Sequence, residues 1–339
     1  MKRLFSYLII LMASLSVFSS CVDEEELADT PQGNFEALWK LMDEHYCFFD
    51  YKQQAYGLDW NEVYRRYKPM VDDRMTSDQL FEVLTAMLGE LRDGHVNLSR
   101  SADFGRYWSW YEDYPSNFSD TLNRKYLGTD YQIASGLKYR VLDDNIGYVY
   151  YESFLDGIGE GNLDEVLYRL MLCRGLIIDI RGNSGGNLTL AERLAARFFS
   201  QSTVVGYIRH KTGTGHSDFS SLEEQRLEPS SNLRWHKPVC VLINRKVYSA
   251  ANEFVKYMKC SPLVTVVGDR TGGGAGLPFS SMLPNGWAVR FSACPMYDSQ
   301  KQPTEFGIAP DVEVSLSLQD VVQGVDPIIE RAREIIAHQ

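Results

Sequence analysis

The sequence is poor in the residues on which several common architectures depend. Its six cysteines stand singly, with no Cys-x-x-Cys pair and no His/Cys cluster. That excludes a disulfide framework and leaves no recognisable metal-ligand set. Positive charge is scarce: 34 lysines and arginines face 45 aspartates and glutamates, a net charge of −11. This argues against a nucleic-acid-binding surface. The apolar run from Leu4 to Phe18 falls short of the ~20 residues that cross a bilayer as a helix. No internal repeat marks a solenoid or propeller. The glycine-rich loop Arg181-Gly-Asn-Ser-Gly-Gly186 lacks the Gly-Lys-Ser/Thr of a phosphate-binding loop.

What is present is an ordinary globular balance, 44% hydrophobic and 23% charged, enough for one large domain and a smaller one. The N-terminus stands apart. Lys2 and Arg3 precede the apolar run, which ends in Ser19-Ser20-Cys21, so residues 1–20 read as a signal peptide. It resembles a bacterial lipoprotein signal, in which Cys21 becomes the lipidated first residue; a plain secretory signal or an uncleaved anchor is the alternative. The cluster Val22-Asp-Glu-Glu-Glu26 resembles the surface-export tags of Bacteroidetes lipoproteins, and otherwise reads as a solvated charge run. Residues 21–32 are expected to be an acidic tether.

The pattern then turns helical. Phe35, Leu38, Trp39 and Met42 repeat at i, i+3, i+4 and i+7. Asp59 with Glu62, and Thr76 with Gln79, are placed to open two further helices as capping boxes. The last of these carries the stripe Leu80, Leu84, Met87, Leu88 and Leu91 and stops at Asp93-Gly94-His95. Residues 33–99 are expected to form a small N-terminal helical domain. Residues 100–136 are aromatic and polar without a clear period, and read as a linker with short elements packed on the surface; the competing reading is an exposed aromatic groove for substrate. From Leu137 strands alternate with helices, through the buried strand ending in Asp179-Ile180 to the apolar run Pro238–Ile243. That alternation argues an α/β fold with a covered sheet. Residues 211–236 look like a surface insertion, Gly268–Gly276 like a flexible loop, and Pro284-Asn-Gly286 like a hairpin turn.

Ser249 stands where a buried strand gives way to a helix beginning at Ala250. A hydroxyl there is clear of the sheet and faces unpaired helix amides. The competing reading is an ordinary helix cap. A serine nucleophile needs a base. Among six histidines, His95 is distinguished by its place just after a glycine that ends an amphipathic helix; the competing reading is a C-cap. Gly185 and Gly186 leave backbone amides uncovered, so one of them with the amide of Ala250 can hold an oxyanion; the competing reading is a tight turn.

Leu91-Arg-Asp-Gly-His95, Asp179-Ile-Arg-Gly-Asn-Ser-Gly-Gly186, Ser249, Gly268-Asp-Arg-Thr-Gly-Gly-Gly and Glu305-Phe-Gly-Ile-Ala-Pro-Asp311 together resemble the S41 serine peptidases, the group that contains the tail-specific proteases and the tricorn protease core. The resemblance spans about residues 33–335. It implies a crotonase-like ββα core over 137–339. Tail-specific members use a Ser–Lys dyad, but Thr271-Gly-Gly-Gly-Ala275 has no lysine. The sequence is similar to the tricorn style instead, which implies Ser249 as nucleophile, His95 as base and Glu305 orienting His95. Two departures stand out. Gly94 replaces the serine that precedes the histidine in tricorn, and 100–136 is too short for a PDZ module. The resemblance implies a peptide or protein substrate and no metal or cofactor, and it leaves room for a homo-oligomer. A ligand-binding protein on the same fold is the rival from another class. An acyl-CoA enzyme is a second rival, for which the sequence offers no nucleotide-phosphate site.

Overall fold

The computed structural model describes residues 27–339; the signal segment, Cys21 and the acidic cluster lie outside them. Four helices come first: α1 (Pro31–His45), α2 (Phe49–Tyr56), α3 (Trp60–Tyr67) and α4 (Ser77–Gly89). The capping chemistry acts as expected at α3, where Asp59 accepts from the amides of Asn61 and Glu62, and at α4, where Thr76 and Gln79 close a capping box. The α4 stripe is buried along its length. Helix α2 has no apolar period and went unread for that reason. It buries Phe49 and, unusually, Lys52.

The remaining elements are β1 (Asn97–Arg100), β2 (Asp103–Arg106), α5 (Ser109–Glu112), α6 (Asp120–Leu127), β3 (Gln132–Ala134), β4 (Leu137–Val141), β5 (Gly147–Tyr151), α7 (Glu160–Leu170) and β6 (Leu176–Asp179). Then follow α8 (Leu188–Ala195), β7 (Thr203–Ile208), β8 (Glu223–Leu227), β9 (Val239–Ile243), α9 (Ala250–Met258), β10 (Val264–Gly268), β11 (Gly276–Met282), β12 (Ala288–Tyr297), β13 (Val312–Glu313), α10 (Leu318–Gln323) and α11 (Pro327–Ala337). One sheet runs β13-β10-β9-β6-β5-β4-β3, parallel from β13 to β5 and antiparallel beyond. Its central strands are buried on both faces, which explains why they read as unbroken apolar runs rather than alternating ones. Helices α7, α8 and α9 cover one face and α11 the other.

A second, antiparallel sheet runs β2-β1-β12-β7-β8, with β11 also paired to β12. It corrects two sequence expectations and fills in a third. Residues 100–136 hold short elements, as expected: β2, two short helices and β3; β2 joins this second sheet and β3 the first. The polar segment 211–236 contains β8, an edge strand whose run of charged and polar residues disguises it. The boundary near residue 99 also dissolves. The helices end at Gly89, and their apolar faces share one core with Leu283, Trp287, Val289 and Phe291 of the β11–β12 hairpin.

Candidate active site

Ser249 and His95 meet. The Oγ of Ser249 lies 2.9 Å from Nε2 of His95, across 154 residues of sequence. Ser249 occupies the N-cap position of α9, yet its side chain makes no capping hydrogen bond. Its backbone has φ 56° and ψ −125°, a conformation that a serine adopts only when its surroundings impose it. Those surroundings are identifiable. The Ser249 amide donates to the Gly273 carbonyl at 2.9 Å, and the Tyr248 amide to the Asn183 carbonyl at 3.2 Å. The loop Gly268–Gly276 is therefore a brace and not a flexible segment. Its glycines serve close approach: a Cβ on Gly273 would stand 1.8 Å from the Glu305 carbonyl oxygen.

His95 sits on the turn between α4 and β1, 5% exposed. Burial holds its ring well below the ordinary imidazole range, at about 4; Asp93 opposes that shift, while Arg290 and Arg106 reinforce it. The ring is therefore neutral near pH 7, as a general base must be. Asp93 is the charge that sequence reasoning passed over. Its Oδ1 accepts the His95 amide at 2.7 Å, and its Oδ2 accepts the hydroxyls of Tyr46 at 3.0 Å and Ser292 at 2.9 Å. Burial works against its charge, but Lys52, His95 and these donors hold the carboxyl below its usual range. Its proximity in the Asp-Gly-His run was the available signal.

Glu305 does not take the orienting place expected of it. Its Oε1 pairs with Lys52 Nζ at 3.0 Å and its Oε2 accepts the Ala275 amide at 3.0 Å; among the described residues Nδ1 of His95 has no well-aligned hydrogen-bond partner, and the Gly276 backbone favours its protonated ring. The reason is the unread helix α2, which delivers a buried lysine to the carboxylate. Burial lifts Glu305 to about 7, against the pull of Lys52. The position where tricorn-like sites carry a helper serine is filled differently too: a Cβ on Gly94 would stand 2.7 Å from the indole nitrogen of Trp110.

The two glycines also separate. The Gly185 amide is engaged with Asn183 Oδ1 at 3.0 Å, whereas those of Gly186 and Ala250 carry no hydrogen bond to the protein. Gly185 is instead the packing surface for the serine, since a Cβ there would meet Ser249 Cβ at 2.8 Å. Gly186, Ala250, Ser249 and His95 line one cleft. Behind it, Arg181 is wholly buried, paired with Asp179 at 2.6 Å and with Asp326, the cap of α11, at 2.9 Å. That network anchors the start of the glycine loop.

The profile of peptidase family S41 matches residues 145–314, and that of the tricorn protease C1 domain matches residues 27–89. The chain belongs to peptidase family S41. A Parabacteroides merdae protein solved as a candidate peptidase is 52% identical, with a TM-score of 0.87 over 91% of this chain and 97% of that one. Mature CPAF is 12% identical with a TM-score of 0.68 over 91% of this S41 chain and 96% of its own, a likeness of fold alone. The tricorn protease of Thermoplasma acidophilum is 24% identical over 260 residues, 74% of this chain. The S41 chain spans 20% of the length of each curated relative it matches.

Proposed function

We propose that this S41 family member is a serine peptidase that hydrolyses peptide bonds in peptides or unfolded protein segments. The observation that carries the proposal is the 2.9 Å approach of His95 Nε2 to a Ser249 hydroxyl held out of its capping role. Ser249 attacks the scissile carbonyl as His95 takes its proton; the tetrahedral intermediate collapses to the acyl-enzyme as His95 protonates the leaving amine, and a water deprotonated by His95 then hydrolyses the ester and frees Ser249. The free amides of Gly186 and Ala250 stabilise the oxyanion. Asp93 stabilises the imidazolium through space, and Glu305 acts one step further back, by holding Ala275 and neutralising Lys52. Replacing Ser249 by Ala is expected to abolish both peptide turnover and covalent labelling by a serine-directed phosphonate. Equal turnover by wild type and variant would sink this mechanism.

The chain's place in the cell is read from its N-terminal segment. Cys21 carries the lipid, and the catalytic body hangs from the outer membrane on the acidic tether. Cys21→Ser should move the protein from the detergent phase to the aqueous phase in a partition experiment; unchanged partition removes the anchor.

A further inference from the structure

The second sheet carries charge into the cleft. Arg106 on β2 and Arg290 on β12 are the direct register partners of Asn97 on β1, one from each side. Residues opposite one another on adjacent strands project from the same face, so Arg106, Asn97 and Arg290 form a row across three strands. All three line the part of the cleft beside His95 and Ser249 in which no aspartate or glutamate lies among the described residues; the adjoining part, which Arg290 also lines, holds Glu253, and that carboxylate is paired with Lys256. Asn97 ties the row to the base: its amide donates to the His95 carbonyl at 2.7 Å.

Neither arginine has an acidic partner. Arg106 lies with its guanidinium carbon 4.8 Å from the Trp108 ring centre, and its buried Nε has no hydrogen-bond partner. Arg290 is exposed and is held by no hydrogen bond or ion pair among the described residues. The least exposed arginines are ion-paired: Arg181 with Asp179 and Asp326, Arg197 with Glu160 and Asp164, Arg100 with Asp78 and Asp103. Among the described residues Arg245 and Arg209 have no acidic partner but donate to backbone carbonyls, which Arg106 and Arg290 do not. In a protein with a net charge of −11, two guanidiniums with neither an ion pair nor a hydrogen bond thus face one cleft. Strands stand ~4.8 Å apart, so the two arginines leave the width of one strand between them. Two planar forks at that separation suit a carboxylate, whose oxygens each arginine can share.

The row also has a side. It lies on β1, the strand that follows His95, and on its two neighbours, and His95 delivers its proton to the leaving amine. We propose that Arg106 and Arg290 form a carboxylate-binding site for the leaving segment of the peptide substrate. The carboxylate is either the chain's own C-terminus or an Asp or Glu side chain shortly after the scissile bond. A bound carboxylate would also screen the two positive charges that disfavour protonation of His95, so its effect reaches kcat as well as KM.

The inference rests on the peptidase reading, so its test uses binding, which is independent of turnover. The Ser249→Ala protein is titrated against a fluorescein-labelled hexapeptide mixture randomised over uncharged residues, followed by anisotropy. Three forms are compared: free C-terminus, amidated C-terminus, and amidated C-terminus with one glutamate. Roughly tenfold tighter binding of a carboxylate form than of the neutral form is expected, and the form that gains identifies the source. Adding Arg106→Gln and Arg290→Gln together should erase the difference while leaving the neutral peptide unchanged, and Arg290→Lys alone should retain part of it. Equal binding of all three forms, or a carboxylate preference that survives in the double variant, overturns the site. Failure of wild-type labelling by the phosphonate would count against the peptidase reading and leave this binding result standing.

Discussion

At the scale of single residues, the site turns on how one serine and one histidine are held. A cap serine and a nucleophilic serine look alike in sequence, and the difference here is a backbone conformation. With φ 56° and ψ −125°, Ser249 points its hydroxyl away from the helix amides it would otherwise cap and toward His95. The histidine is tuned by burial. Because its ring is held at about 4, below an unperturbed value of ~6.5, the neutral base persists well into acid. The acidic limb of a kcat/KM profile should therefore fall near pH 4 and not near 6.5. The same shift has a stability sign. The folded chain prefers the neutral ring, so stability declines as pH drops below the unfolded value and levels off below the folded one. A limb near 6.5 would show that the base is not buried during turnover.

At the scale of elements, helix α2 joins the helical layer to the catalytic loops through one buried ion pair. Lys52 and Glu305 have side chains 0% and 3% exposed, and the lysine also donates to the Arg92 carbonyl at 3.3 Å. Removing one member leaves a charge uncompensated, at a cost of about 3–5 kcal/mol. Lys52→Met should lower the free energy of unfolding measured by urea titration by that amount, and Glu305→Gln in the same chain should restore part of the loss, since glutamine still accepts from Ala275. A loss below ~1 kcal/mol would mean that the pair is solvated or broken in solution. This element was illegible beforehand for a physical reason: its sequence, FDYKQQAY, shows no apolar face, because what it buries is a charge whose partner lies 253 residues away.

At the scale of the whole molecule, the helical layer is not a separable module. Leu84, Met87 and Leu91 share one core with Leu283, Val289 and Phe291, and the base on one side of that junction serves the nucleophile on the other. Burial of this kind couples the two parts. Far-ultraviolet and near-ultraviolet circular dichroism should report one urea midpoint, whereas two resolved transitions would show independent units. It follows that Ser249 and His95 are held together by shared packing as well as by their own hydrogen bond.

Much of this was legible in the order of the residues. The α4 stripe with its capping box, the apolar strands β6 and β9 and the strand-to-helix step at Ser249 announce themselves, because periodicity, capping and turn chemistry act over a few residues and leave local marks. The pairing of Ser249 with His95 follows only from the resemblance of the ordered motifs to the S41 peptidases. The tertiary structure decided what depends on partners distant in sequence. It gave the Glu305 carboxylate to Lys52 and Ala275, spent the Gly185 amide on Asn183 while leaving that of Gly186 free, and turned the glycine loop into a brace. It also set Arg106 and Arg290 on either side of Asn97. Each of these is a choice among competing hydrogen-bond or charge partners, and such choices are made by distance and burial, which a linear pattern does not contain.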